Sequence, residues 1–238
     1  MLLYYIRHGD PIYTPDSLTP KGEQQSAALV HRLCRFGLNE IYVSSSNRAQ
    51  MTAAPTCKEL DITPTVLDWC KESYAFREFS VPDGDDRHHW VFQDAEYCRL
   101  MVSPEIRKLG DEWYRHEAFA NGRFEQGIRR VQKETDAFMA QLGYRHCKEG
   151  GYYEAERPHE RRVALFAHQG IGLAFLSCLL DIPYPAVCTH FDMGHTGVTV
   201  IEFREENGIS IPRVLQLSND SHLYRSGMPT DYQNRIFL

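Results

Sequence analysis

No stretch of this 238-residue sequence approaches the roughly 20 consecutive apolar residues of a membrane-spanning helix. The opening MLLYYIRHGD has no basic segment ahead of its apolar residues and meets a charge too early for a signal peptide. Positive charge is not in excess. The 26 Lys and Arg against 32 Asp and Glu leave a net charge of -6, which makes no electrostatic case for nucleic acid or an anionic membrane as partner. The seven cysteines are odd in number and scattered, and none forms a CxxC pair, so neither a disulfide framework nor a zinc ribbon is expected. Reduced, mostly buried thiols in a cytoplasmic protein are the expectation. Internal repeats and low-complexity segments are also missing.

What is present is an alternation of strand and helix patterns. MLLYYI is a short β-rich run, and TPKGEQQSAALVHRLCRFGL reads as a helix with Thr19 as N-cap and Pro20 at its first position. A second strand covers Ile41 to Val43, a helix follows in RAQMTAAPTCKEL with Pro55 bending it, and ITPTVLDW is a third strand. RVALFAH is a strand of the fully buried type and opens into a helix apolar on most sides. TGVTVIEF and ISIPRVLQL, joined by REENG, suggest one antiparallel pair near the end. The pattern argues for an α/β fold, a three-layer sandwich around a mostly parallel sheet with one antiparallel edge strand. Residues 74 to 160 show no clear strand rhythm and read as a mostly helical insertion in a single domain. One good amphipathic helix lies there, with Phe124, Ile128, Val131, Phe138 and Leu142 on one face and Gly143 as its stop.

In open α/β sheets ligands lie beyond the carboxyl ends of the strands. Three such ends carry related chemistry: Arg7-His8-Gly9, then Ser44-Ser45-Ser46-Asn47-Arg48, then His168-Gln169-Gly170. A lone strand-end histidine is more often a hydrogen-bonded structural residue, and an RHG tripeptide alone occurs by chance in roughly a few per cent of chains this long. Three such ends in one consistent pattern are a different matter. If they converge, two arginines, two histidines and a helix N-terminus face one point, a site for a phosphate dianion.

These residues resemble the histidine phosphatase superfamily in its phosphoglycerate-mutase-like branch. The matches are RHG after strand one, LTPKGEQQS in the pattern LTxxGxxQA, SSSNRAQMTA in the pattern SSxxxRAxxTA, and AHQG at the second histidine motif; they cover about residues 1 to 72 and 162 to 217. The resemblance implies a phosphatase acting on a small phosphorylated metabolite. His8 would be the nucleophile. Arg7, Arg48 and His168 would hold the phosphate oxygens, with the backbone at Gln169 helping. No cofactor and no metal would be needed, since two arginines supply the charge. Gln169 stands where the family often has glycine and where its acid-phosphatase branch has an aspartate proton donor, so the donor must lie elsewhere. Glu72 is the expected donor, because the branch places its acidic residue shortly after strand three. Asp68 and Glu78 are the alternatives.

Other readings are weaker. No cysteine has an arginine at Cys-x5-Arg spacing, which excludes a cysteine phosphatase, and the DxD of VPDGDDR does not follow an apolar strand. Asp83, Asp85, Asp86, His88 and His89 lack the spacing that organises metal ligands and read as a solvated loop, as does ERPHERR. The C-terminal SNDSHLYRSGMPTDYQNR either folds back with His222 near the substrate or forms a plain surface tail. Phosphoryl transfer of the phosphoglycerate-mutase type and a non-catalytic phosphate-binding module are the competing functions. The substrate and the oligomeric state have no signature in the sequence.

Overall fold

The structure, a computed structural model, describes residues 1–84 and 87–229. Strand β1 (Leu2–Arg7) leads through a hairpin of β2 (Pro11–Tyr13) and β3 (Asp16–Leu18) into α1 (Pro20–Leu33). Next come β4 (Glu40–Ser44), α2 (Asn47–Leu60), β5 (Thr65–Leu67) and α3 (Glu72–Phe79). A hairpin of β6 (Ser80–Pro82) and β7 (His88–Trp90) precedes α4 (Ala95–Met101), α5 (Pro104–Leu109) and the long α6 (Phe124–Gln141). The hairpin β8 (Tyr144–Cys147) and β9 (Tyr152–Ala155) returns to β10 (Arg162–Ala167), α7 (Gln169–Leu180) and α8 (Tyr184–His190). The chain closes with β11 (Val198–Glu202), β12 (Glu205–Glu206), β13 (Ile209–Ser210), β14 (Arg213–Asn219) and α9 (Ser221–Arg225).

The central sheet has the order β14-β11-β1-β10-β4-β5, and β1, β10, β4 and β5 run parallel. Both faces are covered, which is why its inner strands read as continuous apolar runs. Alternation sorts the side chains. Leu3, Tyr5 and Leu165 join the larger core with Phe175 of α7 and Phe138 of α6, while Ile6, Phe166 and Val43 pack against Leu29 and Leu33 of α1 and Ala49 and Ala53 of α2. The mostly parallel sandwich expected from the sequence is present, with one correction of detail. The antiparallel strand is β11, one place in from the edge; β14, antiparallel to β11, is the edge strand. The segment ISIPRVLQL divides at Ile211-Pro212, and its first part, β13, joins a different sheet. Proline has no N–H to offer a continuing ladder.

The segment 74–160 holds α4, α5 and α6 and also two hairpins. Strands β8 and β9 join β13 and β12 in a second sheet of order β12-β13-β9-β8. Few β-branched residues mark these strands, so their period is weak in the sequence. Helix α6 buries Phe124, Val131, Phe138 and Met139, and Gly143 at φ +96° ends it. Trp113, almost fully buried, meets the rings of Phe119, Phe124 and Tyr184 at 5.0, 5.4 and 5.7 Å, within the same core as Leu3 and Phe175.

His146 on β8 ties this segment to the sandwich. Its Nδ1 lies 2.8 Å from Asp136 of α6 and its Nε2 3.0 Å from Asp181 at the end of α7, and its ring stacks on Tyr153 at 4.6 Å. Hydrogen bonds to the two carboxylates raise its pKa to about 9, so the imidazole is charged at neutral pH. The folded pKa exceeds the unfolded one. The stabilisation is therefore complete below about pH 6.5 and is lost as pH rises through the folded value. With both aspartates partly exposed, roughly 1–2 kcal/mol is expected after screening. Urea midpoints of wild type and His146→Gln should converge as pH rises from 6.5 to above 9, and a constant gap would contradict the charged assignment.

Candidate active site

The loop after β1 is held by the residues of the LTPKGEQQS and RAQMTA stretches. Thr19 caps α1 by accepting from Gly22 N–H, and its hydroxyl donates to the Asp10 carboxylate at 2.6 Å. Gln25 accepts from Asp10 N–H at 2.8 Å, and Thr52 of α2 accepts from Gly9 N–H at 2.9 Å. Gly22 makes a close approach possible, since a Cβ there would stand 2.3 Å from the Asp10 carbonyl oxygen. Gly22→Ala is expected to cost roughly 2 kcal/mol, as overpacking against backbone does, and to lower kcat by displacing the segment next to His8. A urea midpoint and kcat both equal to wild type would show that the loop is not set by this contact.

Arg7, His8, Arg48 and His168 are all buried and close together. The His8 ring centroid lies 5.1 Å from that of His168. His8 Nδ1 is 2.7 Å from the Gly9 carbonyl, which can only accept, so Nδ1 carries the hydrogen and Nε2 keeps its lone pair. Burial first, then the Arg7 charge, pushes the His8 pKa well below its ordinary value, and the imidazole is neutral near pH 7. His168 is likewise held neutral, by burial and then by His8, Arg48 and Arg7. Its backbone is fixed by Tyr5, whose hydroxyl donates to the His168 carbonyl at 2.6 Å, and its Nε2 lies 2.9 Å from the Ser44 hydroxyl. Arg7 donates to the Met193 carbonyl, and Arg48 pairs with Asp16 of β3 at 2.8 Å. Arg48 Nε and His168 Nδ1 are buried without a hydrogen-bond partner among the described residues. Such groups cost on the order of 1–3 kcal/mol each unless a ligand or water satisfies them.

Glu72, the first residue of α3, reaches the same place. Its carboxylate accepts from Gly170 and Ile171 N–H at 2.9 and 3.0 Å, so two donors of the α7 N-terminus hold a side chain rather than standing open to a ligand. Burial raises its pKa above the usual glutamate value, against the two N–H groups and the charges of Arg7 and Arg48. The alternatives are placed elsewhere. Asp68 accepts from the Ser45 and Tyr74 hydroxyls at 2.6 and 2.8 Å, which lowers its pKa and keeps it ionised. Glu78 forms a two-fold pair with Arg130 of α6, both bonds 2.7 Å. The Gln169 side chain donates to Asp192.

His195 was not singled out by the sequence. It precedes β11, is buried, lies 5.6 Å from His8 between ring centroids, and has Nδ1 3.5 Å from Asp10. Thr196, at φ +56°, donates its N–H to the Arg7 and His8 carbonyls. His222 is not a plain surface residue. It is buried with Nε2 3.0 Å from the Thr196 hydroxyl, and burial lowers its pKa to about 4. The tail beyond residue 229 lies outside the described residues, as do Asp85 and Asp86. His88 lies against Ser80 and His89 against Asp94, both at 3.2 Å. No group of three or more potential ligands is placed to hold a metal among the described residues.

A sheet of this order brings a neutral imidazole and two buried arginines together at the parallel strand ends. A model of the histidine phosphatase superfamily (branch 1) matches residues 3–87. That segment of the chain is similar to the superfamily. Among solved structures it is similar to a phosphoserine phosphatase from Entamoeba histolytica in complex with 3-phosphoglyceric acid, at 21% identity and TM-score 0.59, covering 93% of this chain and 98% of that one. A mycobacterial glucosyl-3-phosphoglycerate phosphatase matches at 19% identity and TM-score 0.60, over 91% and 98% of the two chains. The alpha-ribazole phosphatase of Shigella flexneri matches at 19% and 0.56, over 92% and 97%. At these identities the likeness is one of fold. No curated protein matches the sequence significantly.

Proposed function

We propose that the protein hydrolyses a small phosphomonoester through a phosphohistidine on His8, without a metal ion. The observation that carries this is the meeting of an unprotonated His8 Nε2 with two arginines and with two buried donors, Arg48 Nε and His168 Nδ1, that lack an acceptor among the described residues. A phosphate dianion satisfies both the charge and the donors. His8 Nε2 attacks phosphorus, the P–O ester bond breaks, and the alkoxide takes a proton from Glu72. Water then attacks the phosphohistidine, giving its proton to the Glu72 carboxylate and its oxygen to phosphate, and His8 is regenerated. His168 accepts from Ser44 at Nε2 and turns Nδ1–H to a phosphate oxygen. The phosphatases with similar structures act on small phosphorylated metabolites, in keeping with this reading.

The test is release of inorganic phosphate from a panel of phosphomonoesters, with p-nitrophenyl phosphate as reference, after exhaustive chelation. Undiminished turnover is expected. Activity restored only by a divalent ion would overturn the metal-free mechanism, and phosphate migration within a substrate without release would show a mutase.

Arg7 and Arg48 stabilise charge as it spreads over the equatorial oxygens. Each Arg→Ala change is expected to lower kcat by roughly a hundred-fold or more, as removal of a preorganised donor does. A change confined to KM would show that the arginines only bind substrate.

A further inference from the structure

With Glu72 as the proposed proton donor, the side chains near it would meet the alcohol part of the substrate. Besides Arg7 and Arg48, aromatic rings lie close by. Phe76 follows Glu72 by one turn of α3, on the same face. Trp90, the last residue of β7, lies against the α7 N-terminus at Gly170, the residue whose N–H binds Glu72; a Cβ at Gly170 would stand 2.2 Å from the indole. Phe76 meets Trp90 edge-on at 5.2 Å, Phe92 stacks on it at 5.3 Å, and all three rings are partly exposed. From the hairpin on the other side, the Tyr13 ring lies 5.4 Å from Arg48 Cζ and is 67% exposed. The charged groups point the same way. Those acting on His168 are His8, Arg48 and Arg7, and both arginines are needed by the phosphate. Asp192 adds a carboxylate whose charge reaches Arg7, which disfavours an anionic leaving group beside it.

Resting on the phosphomonoester reading above, we infer that the substrate is a monophosphate whose leaving alcohol is uncharged and carries an aromatic or flat apolar ring, with Trp90 and Tyr13 as specificity-determining residues. A ring packed on an indole buries apolar area and gains from the offset geometry that aromatic pairs favour. The glycine at position 170 admits the indole, because any side chain there would occupy its place.

The experiment compares kcat/KM for benzyl phosphate and 2-methoxyethyl phosphate, whose alcohols are of similar acidity, with phosphoserine, 3-phosphoglycerate and phosphocholine as charged competitors. Benzyl phosphate is expected to exceed each of the others by at least about ten-fold. That advantage should fall below about three-fold in Trp90→Ala, and in part in Tyr13→Ala. Tyr13 is exposed on a hairpin, so its variant keeps the test open if Trp90→Ala does not fold. Equal rates for all phosphates, a preference for a charged alcohol, or an unchanged benzyl advantage in both variants would overturn the inference while leaving the phosphatase reading intact. Failure to cleave any phosphate, p-nitrophenyl phosphate included, would overturn both.

Discussion

His8→Ala is expected to lower turnover by on the order of 10⁴-fold or more, because it removes the atom proposed to form the covalent intermediate. With labelled p-nitrophenyl phosphate, wild-type protein quenched in base should carry one acid-labile, base-stable phosphate, and the variant none. The assignment rests on atoms. Gly9 fixes the tautomer that exposes Nε2, and burial beside Arg7 keeps the ring neutral at pH values where a solvent-exposed histidine is partly protonated. The sign of the pH effect follows. As pH falls through the depressed His8 pKa the nucleophile is protonated and the rate declines, so the acid limb of kcat/KM should lie below the ordinary histidine range. Label persisting in His8→Ala would move the intermediate to another residue, and His195, with its ring 5.6 Å away, would be the first to test.

The parts of this site legible in the sequence are those at the carboxyl ends of parallel strands. Arg7-His8, Arg48 and His168 are contiguous with buried runs, and the topological rule places such ends together. His195 escaped the rule because β11 runs antiparallel to β1. Val198 pairs with Ile6, so the start of β11, not its end, lies beside Arg7 and His8. A reader of strand ends alone passes over GHTGVTV, where the useful signal was a histidine just ahead of a strand already read as antiparallel. The roles of Gly22, Gln25 and Thr52 were also hidden. Their motif was visible, but that it serves to clamp the Gly9-Asp10 backbone depends on how closely α1 and α2 approach the loop, which periodicity does not report. The hairpins of the inserted segment were missed because aromatic and charged residues outnumber β-branched ones there. Pairing with β13, far along the chain, completes the sheet formed by β8 and β9.

Glu72→Gln tests the proposed proton donation through its dependence on the leaving group. The Gly170 and Ile171 N–H groups each use a different carboxylate oxygen, so Gln keeps one of these bonds and loses the other, and the change of substrate ratio rather than the absolute rate is the readout. The proton is lost as well. For an alkyl phosphate kcat should fall by roughly 10²–10⁴-fold, the range of general acid catalysis, whereas p-nitrophenyl phosphate, whose leaving group needs little help, should lose far less. Burial already raises the Glu72 pKa, and a bound dianion a short distance away raises it further, because like charge disfavours the carboxylate. In the wild type the rate with an alkyl phosphate should therefore decline as pH rises through the raised Glu72 pKa, and this basic limb should be missing from the variant. Glu78→Gln is the control. Its carboxylate is committed to Arg130, so the change should lower the unfolding midpoint without altering the ratio of the two substrates. If Glu72→Gln slows both esters equally and Glu78→Gln instead shows the dependence on leaving group, the acid is Glu78, and the pair with Arg130 must open during turnover.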